Sequence, residues 1–464
     1  MTSKTEKKIA LIVTSITYFM GPFMISSVNI ALPTIQNDFR VNAVMLSWIA
    51  TSYLLSTAIC LIPIGKIADI YGRKRFFSSG ILIFTLSSFL CTFSHSAYTL
   101  IFLRTIQGIG SAMFMTTAMA IIASIFPVQE RGKAIGILVS AVYIGLSAGP
   151  FVGGILIQYF GWRSIFILHT PIGLFAYVLI LMNIKGEWAD AKEEKFDLFG
   201  SLLYGMSLFA LIYGTTRLPS KTGMILLIIS LLGIIAFIKQ ELVYDYPVFD
   251  VNLFIDNRVF AFSSLAALIN YSATFAITFL MSLYLQYIKA LPPQTAGLVL
   301  IVQPILQAVC SPFSGHLSDK IEPFILASSG MALTAMGLFL CIFLSTQTGM
   351  AFILFTLVIL GIGFGLFSSP NMNAIMSSVP KRLYGIASGS VATMRLLGQM
   401  ASMTITTLVF SLIIGKQEIH PGIYDLFISS LKIIFSILLM LCVIGIYFSM
   451  NRGNMSISSG QKSE

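Results

Sequence analysis

An arginine interrupts the apolar run LIFLRTIQGIGSAMFM, residues 100–115. If that run crosses a bilayer, Arg104 is a permanent cation at hydrocarbon depth. That costs roughly 2.5–3.5 kcal/mol even on the mildest scales, so protein, water or a substrate must satisfy it. Arg395, within GIASGSVATMRLLGQ at 385–399, poses the same problem. Gln107 and Gln399 follow their arginines at helical spacing, so each can offer an amide oxygen on the same face. No Asp or Glu lies deep within either stretch or any other apolar run. If both cations face one cavity, they disfavour cationic ligands and favour anionic or neutral ones. If Arg104 instead snorkels to a headgroup, that inference lapses. His169 is the other deep titratable residue: it either carries a proton or holds a structural hydrogen bond. Asn29 and Asn270 are costly in a span unless hydrogen-bonded, so they are expected to face protein or a watery route. There is no P-loop, metal-ligand cluster or compact acid–base set, so no enzyme, cofactor or metal is expected.

The solvent follows from composition. Charged residues make up 10% of the 464-residue chain, hydrophobic residues 56%, and the mean hydropathy is +0.90. A single water-soluble core cannot hide that much apolar surface, so the chain reads as an all-α polytopic membrane protein. A helix needs about 20 residues to cross the hydrocarbon, and on that measure fourteen transmembrane helices fit. They group as a six-helix half over 1–184, a linker with two inserted helices over 185–258, a second six-helix half over 259–450, and a tail over 451–464. An even count places both termini on one side. Lys and Arg crowd the segments of that side (Lys4, Lys7, Lys8, Lys66, Arg73, Lys74, Arg75, Arg131, Lys133) and are sparse on the other, so the termini are expected in the cytoplasm of a cell membrane. The net charge of +10 is spread thinly through short loops, which fits membrane orientation and not nucleic-acid binding. The charged segment KGEWADAKEEKFD at 185–197 reads either as a hinge between the halves or as a solvated loop with no partner. The five cysteines lie in apolar runs and read as small buried hydrophobes.

Two motifs sit where the chain must turn or pack closely. In GKIADIYGRKR (65–75), Gly65 and Gly72 permit close approach and a tight turn, and Asp69 can pair with Arg73 or Arg131. The second half echoes it as GHLSD, with Asp319 four residues after Gly315. In GLSAGPFVGG (145–154), Gly145, Gly149, Gly153 and Gly154 make a small-residue face with a bend at Pro150.

The 65–75 stretch resembles the cytoplasmic loop signature of the major facilitator superfamily. RTIQGIGSA at 104–112 resembles its fourth-helix motif, and GLSAGPFVGG its antiporter fifth-helix motif. With VNIALPTI (28–35), GWRSIFILHTPIG (161–173), YLQ (284–286) and 385–399, the chain is similar to the fourteen-spanner drug:proton antiporter group. The resemblance implies a monomeric secondary transporter with the major facilitator fold. It would export small lipophilic molecules by alternating access, with a proton as coupling ion and a latch at Gly65, Asp69, Gly72, Arg73, Arg131 and Asp319. Two positions depart from the family. Met24 stands where many members have Asp, and His169 where Asn is usual. Because a buried carboxylate would both bind lipophilic cations and carry the proton, its absence leaves another transporter reading open: export of an anionic metabolite, a siderophore-like compound or a lipid. A non-transporting receptor or scaffold on the same fold finds no long extramembrane domain to support it.

Overall fold

In hydrocarbon only a backbone that satisfies its own hydrogen bonds is tolerable, and long apolar runs therefore become helices. The computed structural model describes residues 4–184, 186–318, 320–380, 384–415 and 417–452. The first half comprises α1 (Lys4–Phe39), α2 (Ala43–Tyr71), α3 (Arg73–Cys91), α4 (Ala97–Ile125), α5 (Val128–Phe160) and α6 (Ser164–Asn183). The inserted pair is α7 (Leu198–Thr216) and α8 (Lys221–Val243). After the short α9 (Asn252–Asp256), the second half begins with α10 (Arg258–Leu283), which runs on into a π-helical turn at Tyr284–Ile288. Its next span is broken into α11 (Pro293–Leu300) and α12 (Val302–Leu317). Then follow α13 (Pro323–Ile342), α14 (Met350–Ser377), α15 (Tyr384–Ile413) and α16 (Tyr424–Met450).

Thirteen of these spans are long and apolar enough to cross a membrane by composition alone. The fourteenth is α3, whose opening Arg73-Lys74-Arg75 dilutes its apolarity but which packs against α4 as a spanning helix. A Cβ on Gly80 would stand 2.8 Å from the Gly110 carbonyl, and one on Gly110 would stand 2.6 Å from the Phe84 nitrogen. The second half repeats this crossing between α13 and α14, where Gly330 and Gly363 each meet the other's carbonyl within 3 Å. The Gly65 and Gly315 echo also holds: Gly65 faces Thr116 of α4, and Gly315 faces Ser369 of α14. Asp319 lies outside the described residues. Polar caps mark where helices start, with Asn42, Ser96, Asp197, Ser220 and Asn257 each accepting a backbone N–H of the first turn. The inserted α8 turns Ile225, Ile228, Leu231, Leu232 and Ile235 outward, as a lipid-facing helix should.

Among the described residues, the hydrogen bonds that join the two halves gather at mid-membrane and at the side away from the termini, here called the far side. There Ser282 donates to the Asn29 carbonyl (2.7 Å), Gln286 to the Ile30 carbonyl (3.0 Å) and Thr407 to Ser47 (3.0 Å), while Tyr287 donates to Gln36. Backbone meets backbone where Ala43 N–H reaches the Gln417 carbonyl at 3.2 Å. Towards the termini-bearing side, Gly132 and Gly136 of α5 and Gly389 of α15 face open space. The halves are thus pinched together at the far side and parted at the other.

Three expectations need correction. Residues 186–197 are neither a free hinge nor a loop without partners. Lys66 pairs with Glu194, Arg73 with Asp190 (2.6 Å) and Arg75 with Glu187 (3.6 Å). Arg73 N–H also donates to the Trp188 carbonyl and Ala191 N–H to the Asp69 carbonyl, which straps the segment across the 65–75 loop. Arg131 does not serve Asp69, because its guanidinium donates to the Phe126 carbonyl that ends α4. The 451–464 segment does not begin as a loose tail, because its second residue, Arg452, is held inside the protein. It is 1% exposed and donates to Ser449, Ser263 and Asn371, pinning the end of α16 to α10 and α14.

Candidate functional site

Where the halves part, side chains from five helices converge at mid-membrane. Tyr143 of α5 and Ser368 of α14 share a hydrogen bond of 2.9 Å across the interface. Tyr271 of α10 lies within hydrogen-bonding reach of both Ser368 and the Arg395 guanidinium, and packs edge-on to Phe364 with ring centres 5.4 Å apart. Arg395, on α15, is also within electrostatic reach of Tyr18 on α1, whose hydroxyl donates to the Met115 carbonyl. The backbone brings this about. A Cβ on Gly398 would stand 2.4 Å from the Leu268 carbonyl, so α15 lies flush on α10 and swings Arg395 beside Tyr271. Arg395 is only partly buried, and no carboxylate pairs with it among the described residues. Gln399, one turn further on, is also partly buried. Beside Tyr143 an apolar crevice of about 300 Å³ opens between α5 and the α11–α12 span, lined by Ile144, Ser147, Ala148, Ile301 and Ile305. The arrangement offers one cation and a set of hydroxyls to a guest within greasy walls.

Arg104 is elsewhere. It is 1% exposed, enclosed within the first half, and neither snorkels nor opens to the parted interface. It donates to Gln107 (2.8 Å) and to the Ile49 carbonyl (3.3 Å), and its guanidinium lies 4.7 Å over the Tyr53 ring. Gln107 in turn donates to Ser88 at 2.7 Å. The cation is therefore dispersed over neutral dipoles and a π-face, with no anion needed.

The family model described as Major Facilitator Superfamily matches residues 14–403. The chain belongs to the major facilitator superfamily. It is 35% identical to a protein named riboflavin transporter RibZ of Clostridioides difficile, covering 84% of this chain and 85% of that one. It is 30% identical to multidrug resistance protein Stp of Mycobacterium tuberculosis, covering 86% and 74%. Its fold matches a bacterial homologue of the human lysosomal transporter Spinster, in an inward-facing and unoccupied conformation, with a TM-score of 0.71 at 16% identity and 97% coverage of each chain. The protein is a transporter, not an enzyme.

The remaining motif residues of this facilitator take definite places. Asp69 accepts from Arg73 at 2.5 Å, four residues on and across the break between α2 and α3. Gly72, at φ 124°, turns α2 into α3 in a conformation that favours glycine. On α5, Gly145, Gly149 and Gly153 seat against Phe19, Ser26 and Ser27 of α1. The other side of the same motif reaches across the halves: a Cβ on Gly154 would lie 2.6 Å from the Pro293 carbonyl, and one on Gly297 would lie 2.1 Å from the Pro150 carbonyl. His169 sits between Phe23 and Phe84 with Nδ1 on the Ile165 carbonyl at 2.7 Å, while Nε2 faces the Met20 backbone without a hydrogen bond of standard geometry. This is the packing of a structural residue inside the first half. Asn29 lends its carbonyl to the far-side contact, and Asn270 is fully buried in α10 with neither amide atom paired. Tyr18, Tyr143, Tyr271 and Ser368 were not singled out by sequence. A tyrosine in an apolar helix looks like any membrane aromatic until the rotation of the helix is known.

Proposed function

We propose that this transporter exports small lipophilic molecules that bear hydrogen-bond acceptors, neutral or anionic, by alternating access, with protons as the coupling ion. In this reading both termini are cytoplasmic and the parted side is the inner one. The observation that carries it is Arg395 at the inter-half interface, a partly exposed cation among tyrosine hydroxyls with no carboxylate paired to it among the described residues. A charge-assisted hydrogen bond to a guest is worth about 1.5–3 kcal/mol, or roughly ten- to a hundred-fold in affinity. A lipophilic cation gains nothing from it and meets repulsion. The Stp relative supports an efflux role, and the name of the RibZ relative suits a planar, acceptor-rich guest. Apolar walls and the side crevice at Tyr143 fit a substrate that partitions into lipid.

The test is transport in inside-out vesicles with an imposed pH gradient, using a panel matched in lipophilicity but differing in charge. Arg395→Gln is expected to lose about ten-fold or more of anionic and acceptor-rich substrate transport, with Arg395→Lys retaining part of it. Unchanged selectivity in Arg395→Gln refutes the assignment. Preferred handling of cations by wild type refutes the substrate class.

A further inference from the structure

Two carboxylates that the transport reading leaves unused meet at the termini-bearing end of the inserted helix pair. Asp197 caps α7 and is 2% exposed, and Glu241 near the end of α8 is 1% exposed. Their oxygens converge over Gly200. Asp197 Oδ2 lies 2.6 Å, and Glu241 Oε1 2.8 Å, from the point where a Cβ on Gly200 would stand, so both occupy the space that the glycine leaves open. Every other carboxylate oxygen of the pair has a donor. Asp197 Oδ1 accepts from Gly200 N–H at 2.8 Å, Oδ2 from Gln240 at 3.2 Å, and Glu241 Oε2 from Phe249 N–H at 2.7 Å. Among the described residues Glu241 Oε1 alone has no hydrogen bond of standard geometry, and the Val248 backbone N–H is the one further backbone donor near the carboxylate. The cation within electrostatic reach of Glu241 is Lys66 of α2, which is already paired to Glu194 of the strap. On the segment after α8, Asp250 is turned away to accept from Leu253 N–H.

Two ionised carboxylates this close and this buried repel strongly, and one proton between them removes the conflict. It also supplies the missing donor for Oε1. We propose that Asp197 and Glu241 form a proton-binding site in which one proton, taken from water on the termini-bearing side, bridges Glu241 Oε1 and Asp197 Oδ2. The same Glu241 side chain holds Phe249, in the segment that leads from the inserted pair into α10. Proton occupancy therefore sets how firmly the inserted helices grip the second half. With the site protonated, Glu241 stays in place and Phe249 is held. With both carboxylates ionised, they move apart and the 244–251 segment is released.

The test is hydrogen–deuterium exchange on the full-length protein in nanodiscs, normalised for the intrinsic pH dependence of exchange. Wild type is expected to lose protection several-fold in the peptide containing Phe249 as pH rises from mildly acidic to alkaline. Glu241→Gln, whose amide can donate to Asp197 while still accepting from Phe249, is expected to remain protected throughout. Asp197→Asn provides a second variant should the first fail to fold, and it too should flatten the profile by donating to Glu241 Oε1. An infrared carboxylic C=O band present in wild type at neutral pH and missing from both variants gives an independent readout. Protection independent of pH in wild type, or unaltered pH dependence in a folded variant, overturns the proposal. So does protection that follows sodium or potassium concentration at fixed pH, which would assign the site to a metal cation.

Discussion

Of the glycines of α5 and α11 that face the opposite half, Gly297 leaves the least room for a side chain, and replacing it with alanine gives a measurable push on the transport cycle. Its missing Cβ would stand 2.1 Å from the Pro150 carbonyl, where ordinary contact begins at 3.4 Å. The obstacle is backbone, not a flexible side-chain tip, so α5 and α11 must separate by about 1 Å to admit the methyl group. Overpacking of this kind costs about 1–3 kcal/mol. The cost falls only on the far-side-closed state, because the helices are apart when that side opens. The population ratio should therefore move about 5- to 150-fold towards the far-side-open state. Nitroxide pairs at Phe160 and Glu418, exposed on opposite halves, report the change by pulsed dipolar spectroscopy in a background lacking the five native cysteines. Gly297→Ala is expected to shift the distance distribution to longer values and to slow turnover. Gly132→Ala supplies the control: its Cβ meets nothing within 4 Å, so the distribution should not move. An unchanged distribution in Gly297→Ala, with wild-type transport, would refute the idea that this contact helps hold the far side shut.

The enclosed setting of Arg104 makes it a stability residue: Arg104→Gln should lower the melting temperature, at roughly 1–3 kcal/mol for each buried acceptor left unpaired, with substrate selectivity unchanged. A selectivity change at wild-type stability would return Arg104 to the transport route. Arg452→Ala leaves the buried Asn371 and Ser263 without their donor and should destabilise the protein by a similar amount, read by thermal unfolding in detergent. Neutralising the strap with Glu187→Gln, Asp190→Asn and Glu194→Gln should expose Trp188 to a soluble fluorescence quencher in a background where Trp48 and Trp162 are Phe, while the pair of the exposed Arg75 contributes less than about 1 kcal/mol to stability. Unaltered quenching would mean that the backbone hydrogen bonds alone hold the strap. A cysteine at the exposed Tyr71 is expected to resist impermeant thiol reagents in intact cells and one at the exposed Tyr98 to react, and the reverse pattern would invert the proposed orientation.

The membrane class, the two six-helix halves with their inserted pair, and the close-packing role of Gly145, Gly149, Gly153 and Gly154 were all legible in the sequence. Hydropathy and glycine spacing report directly on lipid exposure and on how near two backbones can come. The sequence also showed that Arg104 and Arg395 needed partners, but not which. In helices that are apolar on nearly every side there is little amphipathic signal to fix rotation. Tyr53 under Arg104 and Tyr271 beside Arg395 could not be told from lipid-facing aromatics. Asp197 and Glu241 sit at the ends of their spans, where hydropathy cannot separate a solvated carboxylate from one covered by a neighbouring segment. The strap was hidden for a related reason. Lys66, Arg73 and Arg75 meet Glu194, Asp190 and Glu187 through tertiary folding of a loop whose composition suits solvation equally well.

Four of the six ion pairs among the described residues lie where the 65–75 loop meets Asp69 and the strap, and none bridges the halves at the far side. The far-side clasp is made of neutral hydroxyl, amide and carbonyl groups. Dissolved ions screen exposed charges over about 8 Å at physiological ionic strength and leave short neutral contacts nearly untouched. The two faces of the protein therefore respond differently to the electrolyte around them. Raising ionic strength on the termini-bearing side loosens the strap, while the same change on the far side leaves the clasp as it was. The ionic strength of one compartment thus acts on the strap, whereas the clasp facing the other compartment offers it no charge to screen.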